Sequence, residues 1–168
     1  EHMLEIERRI RQMSGDSEST IVKNMNEAYI PLYYGMLIKN KSYAEVIEDY
    51  PAIAEYNYHP DNHMYGRPVS YYQQLQSFDL AGEWEKLEVP VRILYGSNDR
   101  IMSEFDNHKI MKVLDRKGHD DHSLTIYPGL DHWNTIHKTP KDSFEGKPGT
   151  WDPNVPELII NWAHEMVD

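Results

Sequence analysis

Val89-Pro90-Val91-Arg92-Ile93-Leu94-Tyr95-Gly96-Ser97-Asn98-Asp99 is the stretch that decides how this chain is read. Val91 to Tyr95 is a nearly continuous apolar run closed by Gly96, the pattern of a parallel strand buried on both faces. Asp99 follows just past its carboxyl end. A second run, Ser123-Leu124-Thr125-Ile126-Tyr127, stops at Pro128-Gly129 and leads into Leu130-Asp131-His132-Trp133. Between the two runs, Ser103 can cap a helix that reaches Lys117, with Phe105, Ile110, Val113 and Leu114 facing inward and Gly118 as its stop. Parallel strands joined by one helix bring their carboxyl ends side by side, where open α/β sheets hold their sites. The pattern predicts that Asp99 and His132 meet across 33 positions of sequence.

Outward from this unit, residues 134 to 150 read as a polar loop. Asp152-Pro153 opens a last helix, with Pro153 near its first position and Leu158, Ile159, Trp162, Ala163 and Met166 on its apolar face. Upstream the character changes, and 10 of the 12 tyrosines fall within residues 1–88. Leu4 to Met13 is a short helix with Ile6, Ile10 and Met13 on one face, ended by Gly15. Ser19 or Thr20 caps a longer helix with Val22, Met25, Tyr29, Leu32 and Met36 at helical spacing, and Pro31 is expected to kink it. A further helix runs from near Ser42 to near Pro51, and short helices follow around Val69–Ser77 and Asp79–Leu87. Tyr56 to Pro68 has no period and is rich in turn formers. The expected fold class is α/β: a parallel β-α-β-α unit over 89–168, preceded by a helical segment over 1–88.

Composition narrows the function. Among 168 residues, 17 Lys and Arg face 28 Asp and Glu, a net charge of −11, which argues against a nucleic-acid binder that must hold phosphates. Leu, Ile, Val and Phe make up about a fifth of the chain, near the border of disorder. The 12 Tyr and 4 Trp compensate, since each buries a large area. No apolar run is long enough for a transmembrane helix, and no signal peptide opens the chain. Glu1-His2-Met3 reads as an artificial start, so an upstream targeting signal would go unseen and the compartment stays open. The lack of cysteine removes disulfides, thiolate nucleophiles and cysteine zinc sites.

A carboxylate beside a histidine fixes its tautomer and stabilises the imidazolium, which equips the histidine as a general base. Val89 to Asp99 followed by Tyr127-Pro128-Gly129-Leu130-Asp131-His132 resembles the carboxyl-terminal part of the α/β-hydrolase fold. In that family the acid follows the penultimate core strand and the histidine follows the last, in the chain order Ser, Asp, His. The resemblance covers residues 79–168 and implies Asp99 as triad acid and His132 as triad base. Residues 1–78 look like the cap, or lid, that many members insert before the acid strand. Tyr65-Gly66-Arg67-Pro68, Tyr71-Tyr72-Gln73-Gln74-Leu75 and Leu80-Ala81-Gly82-Glu83-Trp84 look similar to serine peptidases and aminopeptidase-like hydrolases. The implied activity is hydrolysis of a small ester or a peptide, with no cofactor and no metal. The family's Gly-x-Ser-x-Gly is absent: neither Ser14-Gly15-Asp16-Ser17 nor Gly96-Ser97-Asn98 matches it. The chain therefore reads as the cap, acid and histidine half of a serine hydrolase. It is expected to be inactive alone and to need an amino-terminal half that carries the nucleophile. Its open sheet edge suggests a homodimer.

Blander readings stand beside these. Asp99 alone could close an Asx turn, and His132 alone could be a hydrogen-bonded loop residue. Asp131 is adjacent to His132 and so the weaker acid, and Asp106 lies on a solvated helix face. His119-Asp120-Asp121-His122 and the pair His59 and His63 have metal-ligand residue types, but Pro60 breaks the second spacing and the first lies on a polar turn. The Tyr-rich stretch 56–72 could line a substrate entrance or simply pack a small core. Asn40-Lys41-Ser42 matches a glycosylation acceptor, a pattern common by chance. The competing function is a non-catalytic binding or interaction module on the same scaffold, favoured by the missing nucleophile and opposed by the Asp99 and His132 pair.

Overall fold

The computed structural model describes residues 1–56 and 63–166. The chain is mixed α/β and divides into two compact units, Met3–Leu80 and Ala81–Asp168, the division falling ahead of the compositional boundary at residue 88. Among the described residues no helix is long and apolar enough to cross a membrane.

In the first unit, α1 (His2–Ser14) turns Ile6 and Met13 inward and ends at Gly15 in the left-handed region, whose N–H closes the helix on Gln12. Ser17 caps α2 (Glu18–Asn24), not Ser19 or Thr20: its hydroxyl accepts the Thr20 N–H at 3.2 Å. The chain stays helical through a π turn (Met25–Tyr29), α3 (Ile30–Tyr33) and a second π turn (Tyr34–Ile38). Pro31 sits at the start of α3, where the wider turn before it accommodates the missing N–H. The same turn explains why Val22 is 43% exposed while Ile21 is buried. A π turn adds a residue, so the inward face upstream of it is displaced by one position from the face carrying Met25, Tyr29, Leu32 and Met36. Ser42 and Glu45 form a capping box at the start of α4 (Tyr43–Asp49), followed by a 3₁₀ turn (Pro51–Tyr56).

The Tyr-rich region supplies both packing and polar contacts. Strands β1 (His63–Met64) and β2 (Arg67–Pro68) form a hairpin over Tyr65-Gly66, both in the left-handed region that such a two-residue turn requires. Tyr33 and Tyr65 donate their hydroxyls to Glu7 Oε1, each at 2.9 Å, and Glu7 is only 1% exposed. Burial of Tyr33, then its tyrosine and carboxylate neighbours Tyr65 and Glu7, push its hydroxyl far above the ordinary range. Helix α5 (Val69–Gln76) follows, where Tyr72 packs on the core and Arg67 stacks over the ring of Tyr71. The entrance reading at Tyr58 and the His59–His63 spacing fall in part on residues outside the described ones.

The second unit contains α6 (Leu80–Glu85), β3 (Val91–Gly96), α7 (Glu104–Lys117) and β4 (His122–Tyr127). β3 and β4 pair in parallel, Val91 opposite His122 through Gly96 opposite Tyr127. Ser103 caps α7 and Gly118 stops it in the left-handed region. Leu114 is fully buried, but Phe105, expected inward, is half-exposed with the Lys109 ammonium 4.5 Å above its ring. The expected polar loop over 134–150 instead holds β5 (Thr135–Ile136), α8 (Pro140–Phe144) and β6 (Thr150–Trp151), with β5 and β6 antiparallel. Elements this short carry no periodic signal, although Thr139-Pro140 with Asp142 two residues further on is a helix start in miniature: the Thr139 hydroxyl accepts the Asp142 N–H. The last helix is α9 (Asn154–Glu165). Its expected apolar face is only partly covered: Val155 is buried, while Ile159 and Met166 are exposed and Ile160 is 55% exposed. Among the described residues the parallel sheet has two strands, too narrow a platform to cover a helix of this length.

Candidate active site

The two loops at the carboxyl end of the parallel sheet are stitched together before any functional side chain is considered. Ser97 N–H donates to Tyr127 O and Asn98 N–H to Leu130 O, both at 2.9 Å, and Gly129 N–H donates to Ser97 Oγ at 2.8 Å. The buried Asn98 amide donates to His137 O at 2.7 Å and to Gly129 O at 3.1 Å. Gly96 permits this approach: a Cβ there would lie 2.2 Å from the Leu130 carbonyl oxygen. Every partner in this seam is backbone or a short polar side chain. The loops are therefore held by directional bonds as well as by packing.

The seam delivers Asp99 to His132. His132 Nδ1 and Asp99 Oδ2 are 3.0 Å apart. Asp99 is buried, with 8% of its side chain exposed, and His132 is open at 38%. The other carboxylate oxygen, Oδ1, accepts the N–H groups of Ile101 and Met102 at 2.8 and 2.9 Å. These bonds make the Asx turn of the blander reading, and they coexist with the histidine contact rather than compete with it. With the carboxylate as acceptor, the neutral ring carries its proton on Nδ1, which leaves Nε2 with a free lone pair. The Trp133 ring stands edge-on to the His132 ring, centroids 5.7 Å apart.

Asp131 is not a second acid for His132. Its side chain is 4% exposed and three hydrogen bonds engage the carboxylate, from Trp133 N–H and Thr135 N–H to Oδ1 at 2.9 and 3.0 Å and from the Ser143 hydroxyl to Oδ2 at 2.8 Å, while His137 Nε2 lies 3.1 Å from Oδ2. Burial alone would raise its pKa. The Thr135, Ser143, Trp133 and His137 contacts outweigh that and hold the carboxyl below the ordinary range. His137 is the residue that reading the sequence missed. It lies in the stretch taken as a loop, and only the fold turns it back onto Asp131. Arg100, beside Asp99 in sequence, holds its guanidinium 5.2 Å from the Trp133 ring centroid and 5.5 Å from that of Phe144.

The other candidates are elsewhere. Asp106 sits in the first turn of α7, where its N–H closes on the Ser103 hydroxyl. His122 Nε2 contacts Asp115 Oδ1 at 3.1 Å and its Nδ1 meets His119 O at 2.8 Å, while His119 Nε2 meets Val89 O at 3.0 Å, so both rings are engaged with protein partners. Among the described residues no group of three or more His, Cys, Asp or Glu could hold a metal ion. Comparison with family models, with curated proteins and with solved structures yields no match to this chain.

Proposed function

We propose that this chain supplies the acid and the base of a serine hydrolase of the α/β-hydrolase class, acting on an ester or a peptide. The observation that carries the reading is the 3.0 Å contact between the buried Asp99 carboxylate and His132 Nδ1, at the carboxyl ends of two parallel strands. In the proposed mechanism His132 Nε2 takes the proton of a serine hydroxyl as that oxygen attacks the substrate carbonyl. The protonated ring then gives the proton to the leaving group. Asp99 keeps the ring in the useful tautomer and stabilises the imidazolium, without itself taking the proton.

The serine belongs to sequence outside these 168 residues, since no Gly-x-Ser-x-Gly occurs here. The open faces of Ile126, Ile159 and Ile160 support a larger sheet that covers them. The helical segment 1–78 would serve as the cap that selects the substrate.

The test is covalent labelling with a fluorophosphonate, which reacts with activated serines. The 168-residue chain is expected to remain unlabelled and to leave activated esters unhydrolysed. The chain extended by its upstream reading frame is expected to label at a single serine, and His132→Ala in that form is expected to abolish turnover. Stoichiometric labelling of the 168 residues alone overturns the assignment. An upstream sequence without a nucleophile overturns it too, in favour of a binding module.

A further inference from the structure

The site has a device on its outer side that the acid–histidine reading does not use. Helix α8 offers two consecutive side chains to the loop that bears His132. Ser143 is buried and donates its hydroxyl to Asp131 Oδ2 at 2.8 Å. Phe144 lies 5.5 Å from the Arg100 guanidinium, which lies 5.2 Å from the Trp133 ring on its other contact. The residues gripped are the immediate neighbours of the pair: Asp131 and Trp133 flank His132, and Arg100 follows Asp99.

We propose that α8 is a positioning element for the Asp99–His132 pair, with Ser143 and Phe144 as the positioning residues acting through Asp131 and the Arg100–Trp133 stack. The proposal rests on reading Asp99 and His132 as a functional pair. Asp131 closes the turn 131–134 by accepting Trp133 N–H, while Asn134 N–H returns to Asp131 O at 3.1 Å and Asn134 takes a left-handed φ of 58°. His132 is the second residue of that turn, so its ring direction follows the turn's geometry. Ser143 supplies one anchor through the carboxylate. The second comes from Phe144 through the Arg100 cation, which lies over the rings of both Phe144 and Trp133 and so links the two. Arg100 Nε is buried and has no hydrogen-bond partner among the described residues. Its guanidinium lies over both rings, which suits a spacer between the Asp99 loop and the His132 loop.

The experiment reads the His132 tautomer in the folded 168-residue chain by long-range proton–nitrogen correlation of labelled histidines. A bond to a charged acceptor favours the Nδ1–H form of His132 by about tenfold or more over the alternative. Asp99→Asn, whose amide can donate to Nδ1, is expected to invert that preference. Ser143→Ala and Phe144→Leu are each expected to raise the Nε2–H fraction of His132 severalfold. Ser143→Thr and Phe144→Tyr keep the hydroxyl and the ring and are expected to retain the parent ratio. A merely structural role would lower stability and leave the ratio of the folded molecules unchanged. That result in Ser143→Ala and Phe144→Leu, with Asp99→Asn still inverting the tautomer, overturns the positioning role alone. If Asp99→Asn itself leaves the tautomer unmoved, the functional pair fails first. Should Ser143→Ala not fold, Phe144→Leu decides, because it leaves the hydrogen bonds of Asp131 in place.

Discussion

Gly96→Ala is the most demanding perturbation of this site, because it adds one methyl group and no chemistry. The new Cβ would stand 2.2 Å from Leu130 O, 2.7 Å from Leu130 C and 3.0 Å from Leu130 Cβ. Two of these neighbours are backbone, so no rotamer change relieves the contact. The loop after β4 must retreat, and with it goes the 2.9 Å bond from Asn98 N–H to Leu130 O. Overpacking of this kind costs about 1–3 kcal/mol, and the lost hydrogen bond about 1 kcal/mol more. The expected loss is about 2–4 kcal/mol, which for a chain of this size is a melting shift of about 5–15 °C.

Trp84, Trp133, Trp151 and Trp162 all lie in residues 81–168, so urea unfolding followed by tryptophan fluorescence reports on this unit. Gly118→Ala is the control: nothing lies within 4 Å of its Cβ, and only the left-handed backbone is strained. That strain costs about 1–2 kcal/mol. Gly96→Ala is expected to be the more harmful of the two and to separate His132 from Asp99 in the histidine spectra. A Gly96→Ala chain as stable as the control, with the His132 signals unchanged, would refute the argument that close approach of the two loops builds the site.

Three further outcomes are expected. Gly149→Ala places a Cβ 2.3 Å from Thr135 Cγ2 and 2.7 and 2.8 Å from His137 Cε1 and Nε2, so it should displace the His137 ring from Asp131 at a cost of about 1–3 kcal/mol, read by the same unfolding experiment. Asp131→Asn should cost about 2–3 kcal/mol at neutral pH through the lost charged acceptor. The Asp131 carboxyl is held below its ordinary value of 3.8, so the parent's advantage is full above that pH and should close as pH falls below it; an advantage independent of pH would argue against an ionised Asp131. Tyr33→Phe removes a hydroxyl raised above its ordinary value of 10.0, so the stabilisation it provides is full below that pH and is lost as pH rises beyond it. Helical circular dichroism during alkaline unfolding should show parent and variant converging above pH 10.0, and a constant gap would count against the buried Glu7–Tyr33 contact.

Local signals carried much of the fold. The apolar runs at 91–95 and 123–127, the Ser103 cap and the Gly118 stop specify a β-α-β unit, because each acts over a few residues and no distant partner has to be known. That unit in turn places Asp99 and His132 at one sheet edge, since parallel strands joined by a single helix leave little choice of geometry. Other features were decided by tertiary structure. Val22 points outward because a π turn displaces the helical face, and no periodicity announces that turn. Phe105 and Ile159 are exposed because a two-stranded sheet offers too little area to cover them. Asp131 finds His137 and Ser143 only when β5, α8 and β6 fold back over the site, and these elements are too short to leave a repeat in the sequence. The meeting of Asp99 and His132 was therefore legible in the sequence. The close approach at Gly96, the stack around Arg100 and the bonds that engage Asp131 depend on which surfaces meet, and local sequence does not encode that.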